Sequence, residues 1–217
     1  ENGKKRLFIL SVPFRRIIRV LLTPTILGHM INRGDIIVVS PFSKNNAFRK
    51  EFSSESFNHL SINQKNLSNY FKVLFNFSEI MRRHGYWFKF RKKNMQFYAE
   101  TRFSIPGKDG LDEEFPTFKK FIYFCLSVIG AWSKSWIVLD KIIGDRVFSD
   151  EGLEAIIADY EEVTLVQAAS WGFQDRALAW LSKKYKWQTI LIPFTTDQIT
   201  LNGYLLCAYD KVCIQGT

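Results

Sequence analysis

Short apolar runs bounded by turn residues recur along the chain and constrain its fold more than any other feature. The clearest occupy residues 6–12, 36–40, 163–167 and 189–192, and a shorter one follows at 211–214. Apolar runs without alternating polar residues are typical of parallel strands, because helices cover both faces of a parallel sheet. The sequence therefore predicts a sheet that is buried on both sides.

Segments with helical spacing separate these runs. Apolar residues recur at helical spacing between the first two runs, and Pro24 is predicted to start a second helical piece there, which makes this region a βαβ unit. Residues 150–159 are predicted to form a helix with Ser149 or Asp150 as its N-cap, and residues 173–184 to form an amphipathic helix. This alternation predicts an α/β fold with a doubly wound, mostly parallel, Rossmann-like sheet.

The middle of the chain has a different character. We predict that residues 1–217 form a single Rossmann-like domain with a helical and basic insertion at about residues 64–145. Within it, residues 66–83 show helical spacing, and residues 86–101 are basic, aromatic and difficult to assign. Residues 118–132 are strongly apolar but too short to span a membrane, which needs about 20 apolar residues. We expect a buried helix there, with a helix in the membrane interface as the alternative.

The net charge of +9 favours anionic partners. Much of the positive charge lies in residues 82–93, where aromatic residues separate the basic ones. This pattern predicts contact with an anionic partner, and a solvated loop between a helix and a strand is the alternative. The basic residues expected to make the contact are Arg82, Arg83, Lys89, Arg91, Lys92 and Lys93.

Several kinds of site have no signature in the sequence. Val12-Pro-Phe-Arg15 follows the first predicted strand in place of a glycine-rich turn, so the dinucleotide-binding fingerprint is absent, and there is no P-loop. No histidine is spaced with another ligand as a metal site requires. The three cysteines are interpreted as reduced core residues of a cytosolic protein. We predict neither a metal nor a cofactor in this domain.

Polar residues follow two predicted strands in the last third of the chain. Ligands of open α/β sheets bind beyond the carboxyl ends of the strands, so these loops are candidates for a site. Hydroxyls, amides and carboxylates beside a Trp suit a polyhydroxylated ligand such as a sugar, and Asp197 could act there as a general base. The alternative is that Ser170 and Asp175 cap the helix that starts at Phe173, and that Thr196 or Asp197 caps a short helix after the last long strand. The candidate binding residues are Arg15, which follows the first strand, and Ser170, Trp171, Asp175, Thr195, Thr196, Gln198 and Asn202.

Two stretches near the end of the chain carry a resemblance. Ile192-Pro-Phe-Thr-Thr-Asp-Gln-Ile-Thr-Leu-Asn-Gly203 and Tyr209-Asp-Lys-Val-Cys-Ile-Gln-Gly216 resemble a segment of bacterial surface-polysaccharide glycosyltransferases with the GT-B fold. The start of the chain, Lys5-Arg-Leu-Phe-Ile-Leu-Ser11, is similar to the first strand of such domains. The chain departs from the family at Thr196 and Gln215, where a Trp is usual, and no His or acidic base follows the first strand.

The resemblance implies the N-terminal, acceptor-binding half of a two-domain glycosyltransferase. The acceptor would be a surface glycan or a lipid-linked glycan, and the nucleotide sugar would be held mainly by a C-terminal domain of the same polypeptide. We expect that domain to be absent from this chain and the chain alone to be inactive. The resemblance also implies a cytoplasmic protein at the inner face of the membrane, with residues 82–93 contacting an anionic acceptor or the lipid surface.

Two alternatives remain open at this point. One is a flavodoxin-like binding module that holds nucleic acid or a phosphorylated ligand through residues 82–93. The other is half of a sugar-nucleotide epimerase with the GT-B architecture.

Overall fold

The computed structural model of the protein describes residues 5–52, 57–62, 68–90, 117–168, 172–193 and 207–213. Its strands are β1 (Arg6–Ser11), β2 (Asp35–Val39), β3 (Phe57–Leu60), β4 (Glu162–Gln167), β5 (Gln188–Leu191) and β6 (Lys211–Val212). They form a six-stranded sheet in the order β3-β2-β1-β4-β5-β6, and every pair is parallel. The predicted strands are confirmed, with ends that differ by one or two residues.

Helices alternate with these strands. They are α1 (Arg15–Leu21), α2 (Pro24–Ile31), α3 (Asn46–Glu51), α4 (Asn69–Phe90), α5 (Thr117–Ser133), α6 (Trp136–Val147), α7 (Glu151–Ile157) and α8 (Gly172–Lys184), with a 3₁₀ turn at Pro41–Lys44. The helices flank an all-parallel sheet, so the predicted doubly wound, Rossmann-like α/β fold is confirmed.

The chain divides into two compact units. The sheet unit comprises Glu1–Asn66, Gly144–Gln198 and Leu205–Thr217, and the helical unit comprises Leu67–Ile143 and Ile199–Tyr204. The longer range of the helical unit lies within the segment that the sequence identifies as an insertion.

The centre of the sheet is apolar on both faces. Successive side chains of a strand point to opposite faces, yet the neighbours Ile9 and Leu10 of β1 are both 0% exposed. Ile37 and Val38 of β2 are buried in the same way. The unbroken apolar runs of the sequence therefore reflect burial on two sides.

Two helix starts follow directly from the sequence. Asp150 is the N-cap of α7, where its carboxylate accepts a hydrogen bond of 3.0 Å from the backbone N–H of Leu153. Pro24 occupies the first position of α2, where a backbone N–H is not needed, after the N-cap Thr23. Both predictions are confirmed.

Within the helical unit, α4 and α5 approach closely through glycine. A Cβ added at Gly130 would lie only 2.2 Å from the carbonyl oxygen of Met81, and one added at Gly85 would lie 2.5 Å from the backbone of Gly130. Met81, Leu126 and Trp136 form the buried cluster of this unit. The absence of side chains at the two glycines is what allows the backbones to come together.

The structure adds to or corrects the expectations for two segments, residues 86–101 and residues 118–132. Residues 86–90 continue α4, because the helix runs to Phe90, whereas residues 91–116 lie outside the described residues. The apolar segment at 118–132 is helical, but the expectation that it is buried is wrong for much of its surface. Phe121, Phe124 and Trp132 are 62%, 51% and 78% exposed.

The glycine contact gives a stability prediction. Gly130→Ala should destabilise the protein by about 1–3 kcal/mol, because the new methyl group has no room against the backbone of Met81 and the helices must separate. Gly28→Ala is the matched control, since nothing lies within 4 Å of a Cβ there. In that exposed helix interior, alanine should stabilise by about 1 kcal/mol. Urea unfolding of both variants measures the difference, and equal effects would refute the packing argument.

Candidate functional site

The strand order creates a switch point between β1 and β4. The chain leaves β1 toward β2 on one side and leaves β4 toward β5 on the other side. Loops that diverge in this way open a crevice beyond the carboxyl ends of the two strands, where ligands of open α/β sheets bind. The candidate site is therefore built from the ends of β1 and β4 and the start of α8.

A buried carboxylate lies at this point. Asp175, in the first turn of α8, accepts a hydrogen bond of 2.5 Å from the hydroxyl of Ser11, the last residue of β1. It also accepts one of 3.3 Å from the side-chain amide of Gln167, the last residue of β4, whose amide donates as well to the carbonyl oxygen of Asp175 at 2.9 Å. The positive end of the α8 dipole favours a negative charge at this position.

Gln174 and Tyr209 extend this switch-point network, which comprises Ser11, Gln167, Gln174, Asp175 and Tyr209. The amide of Gln174 donates to the hydroxyl of Ser11 at 3.0 Å and to the carbonyl oxygen of Val39 at 2.9 Å. The hydroxyl of Tyr209 donates to the side-chain oxygen of Gln167 at 2.8 Å. The network thus connects β1, β2, β4, α8 and the segment that precedes β6.

The burial of this network decides its role. Ser11, Gln167 and Asp175 are 0% exposed, and Gln174 is 7% exposed. A side chain without solvent access cannot bind an acceptor directly, so the prediction that Asp175 contacts one is corrected. Asp175 instead fixes the start of α8 against the ends of β1 and β4.

The other predicted binding residues fall into two groups. Arg15 is exposed at the first position of α1, with its guanidinium 5.9 Å from the ring centre of Phe42. It lies at the same edge of the sheet as the switch-point network, since α1 follows β1 directly. The residues outside the described ranges are Ser170, Trp171, Thr195, Thr196, Asp197, Gln198 and Asn202. β4 and β5, the strands that most closely precede these residues in the sequence, are parallel neighbours.

The described basic residues of segment 82–93 differ in their exposure to solvent. Arg82 is 0% exposed and pairs with Glu79 at 3.1 Å, so the expectation that it contacts an anionic partner is not met. Arg83 pairs with the same carboxylate at 2.5 Å. Lys89 is exposed near the end of α4, whereas Arg91, Lys92 and Lys93 lie beyond the described part of that helix.

His84 is buried beside these arginines. It is 8% exposed, and its ring meets that of Tyr123 edge-on with centres 5.8 Å apart. Burial lowers the pKa of His84 to about 4, and the charge of Arg83 acts in the same direction. The folded protein therefore holds this side chain neutral at physiological pH.

A carboxylate that the sequence did not single out holds β6 in place. Asp210 accepts hydrogen bonds of 2.7 Å from the backbone N–H and 2.9 Å from the hydroxyl of Thr189 in β5. These bonds lower the pKa of Asp210. Close by, Cys207 is buried against Ala179, and burial raises the pKa of its thiol to about 11. Cys213 is exposed, so the core assignment of the cysteines is wrong for this one.

A separate cleft opens at the opposite edge of the sheet. It encloses about 560 Å³ where β4 and β5 begin, and its walls include Tyr160, Tyr185, Trp187 and Glu154. The hydroxyl of Tyr185 donates to Glu154 at 2.8 Å. Because open α/β sheets bind ligands at the carboxyl ends of their strands, we locate the candidate site at the switch point and not in this cleft. Among the described residues, no group of three or more His, Cys, Asp or Glu could hold a metal ion.

A recognisable signal marks some of the residues that the sequence reasoning missed. Ser11 and Gln167 each follow two buried apolar residues and end their strand with a polar side chain. A polar group at the end of a buried strand needs a partner, and both residues find theirs in Asp175. Tyr209 has no such signal, because its partner Gln167 is far away in the sequence.

Comparison with known proteins gives no relative from which residue roles could be transferred. No protein-family model matches the chain, and neither a curated protein nor a solved structure matches it. The roles of Asp175, Arg15 and their neighbours therefore rest on their own contacts and positions.

The position of Asp210 predicts how β6 is held. Asp210→Ala should accelerate amide hydrogen exchange at Thr189 and alkylation of Cys207 by about tenfold, because the lost hydrogen bonds favour local opening. Asp159→Ala, which removes another exposed carboxylate of the sheet unit, is the control and should change neither rate. NMR-detected exchange and mass-resolved alkylation report the two rates. If Thr189 exchanges equally fast in both variants, Asp210 does not hold the strand.

His84 predicts a pH dependence of stability. Its pKa is about 4 when folded and near the ordinary 6.5 when unfolded, so unfolding takes up a proton between these values. Stability should therefore fall as the pH decreases through this window. In His84→Gln the loss between pH 7 and pH 5 should shrink by about 2 kcal/mol. His29→Gln, at an exposed position of α2, should keep the original pH dependence in urea unfolding. A His84→Gln profile that matches the unsubstituted protein would contradict the assignment.

Proposed function

We propose that the chain is the acceptor-binding, Rossmann-like domain of a glycosyltransferase with the GT-B architecture. In this proposal a sugar passes from a nucleotide-sugar donor to a surface glycan or a lipid-linked acceptor. A second domain of the same polypeptide supplies most of the donor site. The observation that carries the proposal is the switch-point network at the carboxyl ends of β1 and β4.

The turn after β1 supports an acceptor in place of a dinucleotide. A pyrophosphate needs glycine there so that the backbone can approach it and donate hydrogen bonds. This chain instead has Val12, which is 0% exposed, and Pro13, which has no backbone N–H to donate. A ligand at this edge would be held mainly by side chains, and that favours a hydroxyl-rich molecule.

The available side chains suit a sugar acceptor. The loop after β4 supplies Ser170 and Trp171, and the loop after the neighbouring β5 supplies Thr195 to Gln198. An aromatic face packs against the apolar side of a sugar ring, while hydroxyls and amides bind its polar groups. Arg15, at the start of α1, would bind an anionic group of the acceptor. In this proposal Asp197 takes the proton of the attacking hydroxyl.

The test is a transfer assay on the polypeptide that contains this chain together with any donor domain that its gene encodes. Nucleotide sugars labelled in the sugar are incubated with cell-envelope extract, and label in glycan or lipid is counted. Asp197→Asn should lower kcat by about a hundredfold or more with a small change in KM, since it removes the general base. Asp159→Asn, on an exposed carboxylate after α7, should leave the rate unchanged.

Each outcome of this assay has a distinct meaning. Unchanged transfer by Asp197→Asn would remove this residue from the mechanism. Conversion of the nucleotide sugar without an acceptor would favour an epimerase. The absence of both transfer and conversion with every nucleotide sugar would overturn the proposal. Binding of nucleic acid through residues 82–93 has less support, because Arg82 and Arg83 already pair with Glu79.

A further inference from the structure

Exposed apolar side chains are concentrated in the helical unit. Of the eleven large hydrophobic side chains that are exposed in the described part of the chain, eight lie on α4, α5 and α6. Trp132 has the largest exposed fraction, 78%. We define the apolar face as Phe121, Phe124 and Trp132 of α5 together with Val138 and Ile142 of α6. Side chains of this size are normally buried, so their grouping indicates an interaction surface.

The apolar face is distinct from the packing surface of the same helices. On α5, Phe121, Phe124 and Trp132 recur at helical spacing along one side, whereas Leu126 and Gly130 are buried toward α4. On α6, Val138 and Ile142 are four residues apart and are 58% and 59% exposed. Each helix therefore has one apolar side that is packed within the unit and a second apolar side that is exposed.

The described acidic residues of the helical unit are occupied by contacts within it. Glu79 and Asp140 are the acidic residues of the described part of the helical unit, and both are engaged inside it. Glu79 pairs with Arg82 and Arg83, and Asp140 accepts a hydrogen bond of 2.6 Å from Ser78.

The exposed charges beside the face are mainly positive. Asp145, three residues after Ile142 on α6, is also exposed, but its carboxylate pairs with Lys184 at 3.0 Å. Lys134 follows Trp132 in the link between α5 and α6, and Lys141 lies on α6 next to Ile142. The surface thus offers apolar, aromatic and cationic groups together.

We propose that the apolar face docks on the surface of an anionic lipid bilayer. Tryptophan prefers the boundary between lipid headgroups and acyl chains, and lysines next to it are attracted by anionic headgroups. A second copy of the chain fits less well, because two such faces would bring lysine against lysine. The proposal does not depend on sugar transfer, and it assigns membrane contact to a surface other than residues 82–93.

The helices lie on the bilayer and do not cross it. No single helix in the described ranges is long and apolar enough to span a membrane, although Phe121–Ser133 and Trp136–Val147, bent by 101°, reach that length and hydropathy as a pair. Leu126 and Trp136 are buried in the core of the helical unit. A helix with one side packed on protein presents only its other side to lipid, as interfacial helices do.

Vesicle binding tests the proposal directly. The chain should co-sediment with vesicles of equimolar phosphatidylcholine and phosphatidylglycerol, and much less with phosphatidylcholine alone. Phe121→Ser with Trp132→Ser should lower the partition coefficient about a hundredfold, since each aromatic group buries apolar area in the bilayer. Lys134→Gln and Lys141→Gln should each lower it about fivefold, and only with the anionic vesicles. Ile31→Ser, at a position 39% exposed in the sheet unit, is the matched control and should bind normally.

A second measurement keeps the test independent of the double variant. Brominated lipids should quench tryptophan fluorescence of the unsubstituted chain, and the quenching should fall sharply in Trp132→Phe. No binding to the anionic vesicles, or equal binding of the aromatic variant and the control, would overturn the proposal. So would light scattering that shows a dimer in the absence of lipid, if Trp132→Phe dissociates it.

Discussion

The hydrogen bond between Ser11 and Asp175 anchors α8 where the two halves of the sheet meet, at the paired strands β1 and β4. A buried carboxylate is costly unless its oxygens are hydrogen-bonded, and Asp175 meets this requirement with Ser11 from one half and Gln167 from the other. The first turn of α8 is thereby held at the seam between β1 and β4. This fixed point lies at the end of β4, where Ser170 and Trp171 of the proposed acceptor site follow in the sequence.

The two units use apolar residues differently. In the sheet unit, aliphatic side chains such as Ile9 and Leu10, which point to opposite faces of the sheet, are 0% exposed. In the helical unit, glycine brings α4 and α5 into backbone contact, and large side chains such as Trp132 remain outside. The hydrophobic fraction of 47% is an average over the whole chain and does not show this difference between the units. Composition alone therefore predicts a core but not the apolar surface.

The strands could be predicted from the sequence because short, unbroken apolar runs between turn residues are typical of buried strands. Their order could not be predicted from these runs, since the pairing of β1 with β4 joins Arg6 to Glu162 and local periodicity contains no such information. At the site, the sequence identified Asp175 as a polar residue near a strand end. Its burial could not be predicted, because it depends on hydrogen bonds to Ser11 and Gln167 that only the folded chain brings together. For α5, the apolar sequence is compatible both with a buried helix and with a helix at a surface. Only the exposure of its side chains in the structure distinguishes the two.

The strand order also has a consequence for the newly made chain. β1 is a central strand, yet its partner β4 is synthesised after residues 67–143 of the helical unit, and the paired residues Arg6 and Glu162 are 156 positions apart. At the usual speed of a ribosome, this separation leaves one edge of β1 without its partner for about 10 to 30 s. An apolar strand with an open edge invites pairing with other chains. Until β4 is made, this edge of β1 is open to aggregation, whereas in the folded protein β4 covers it.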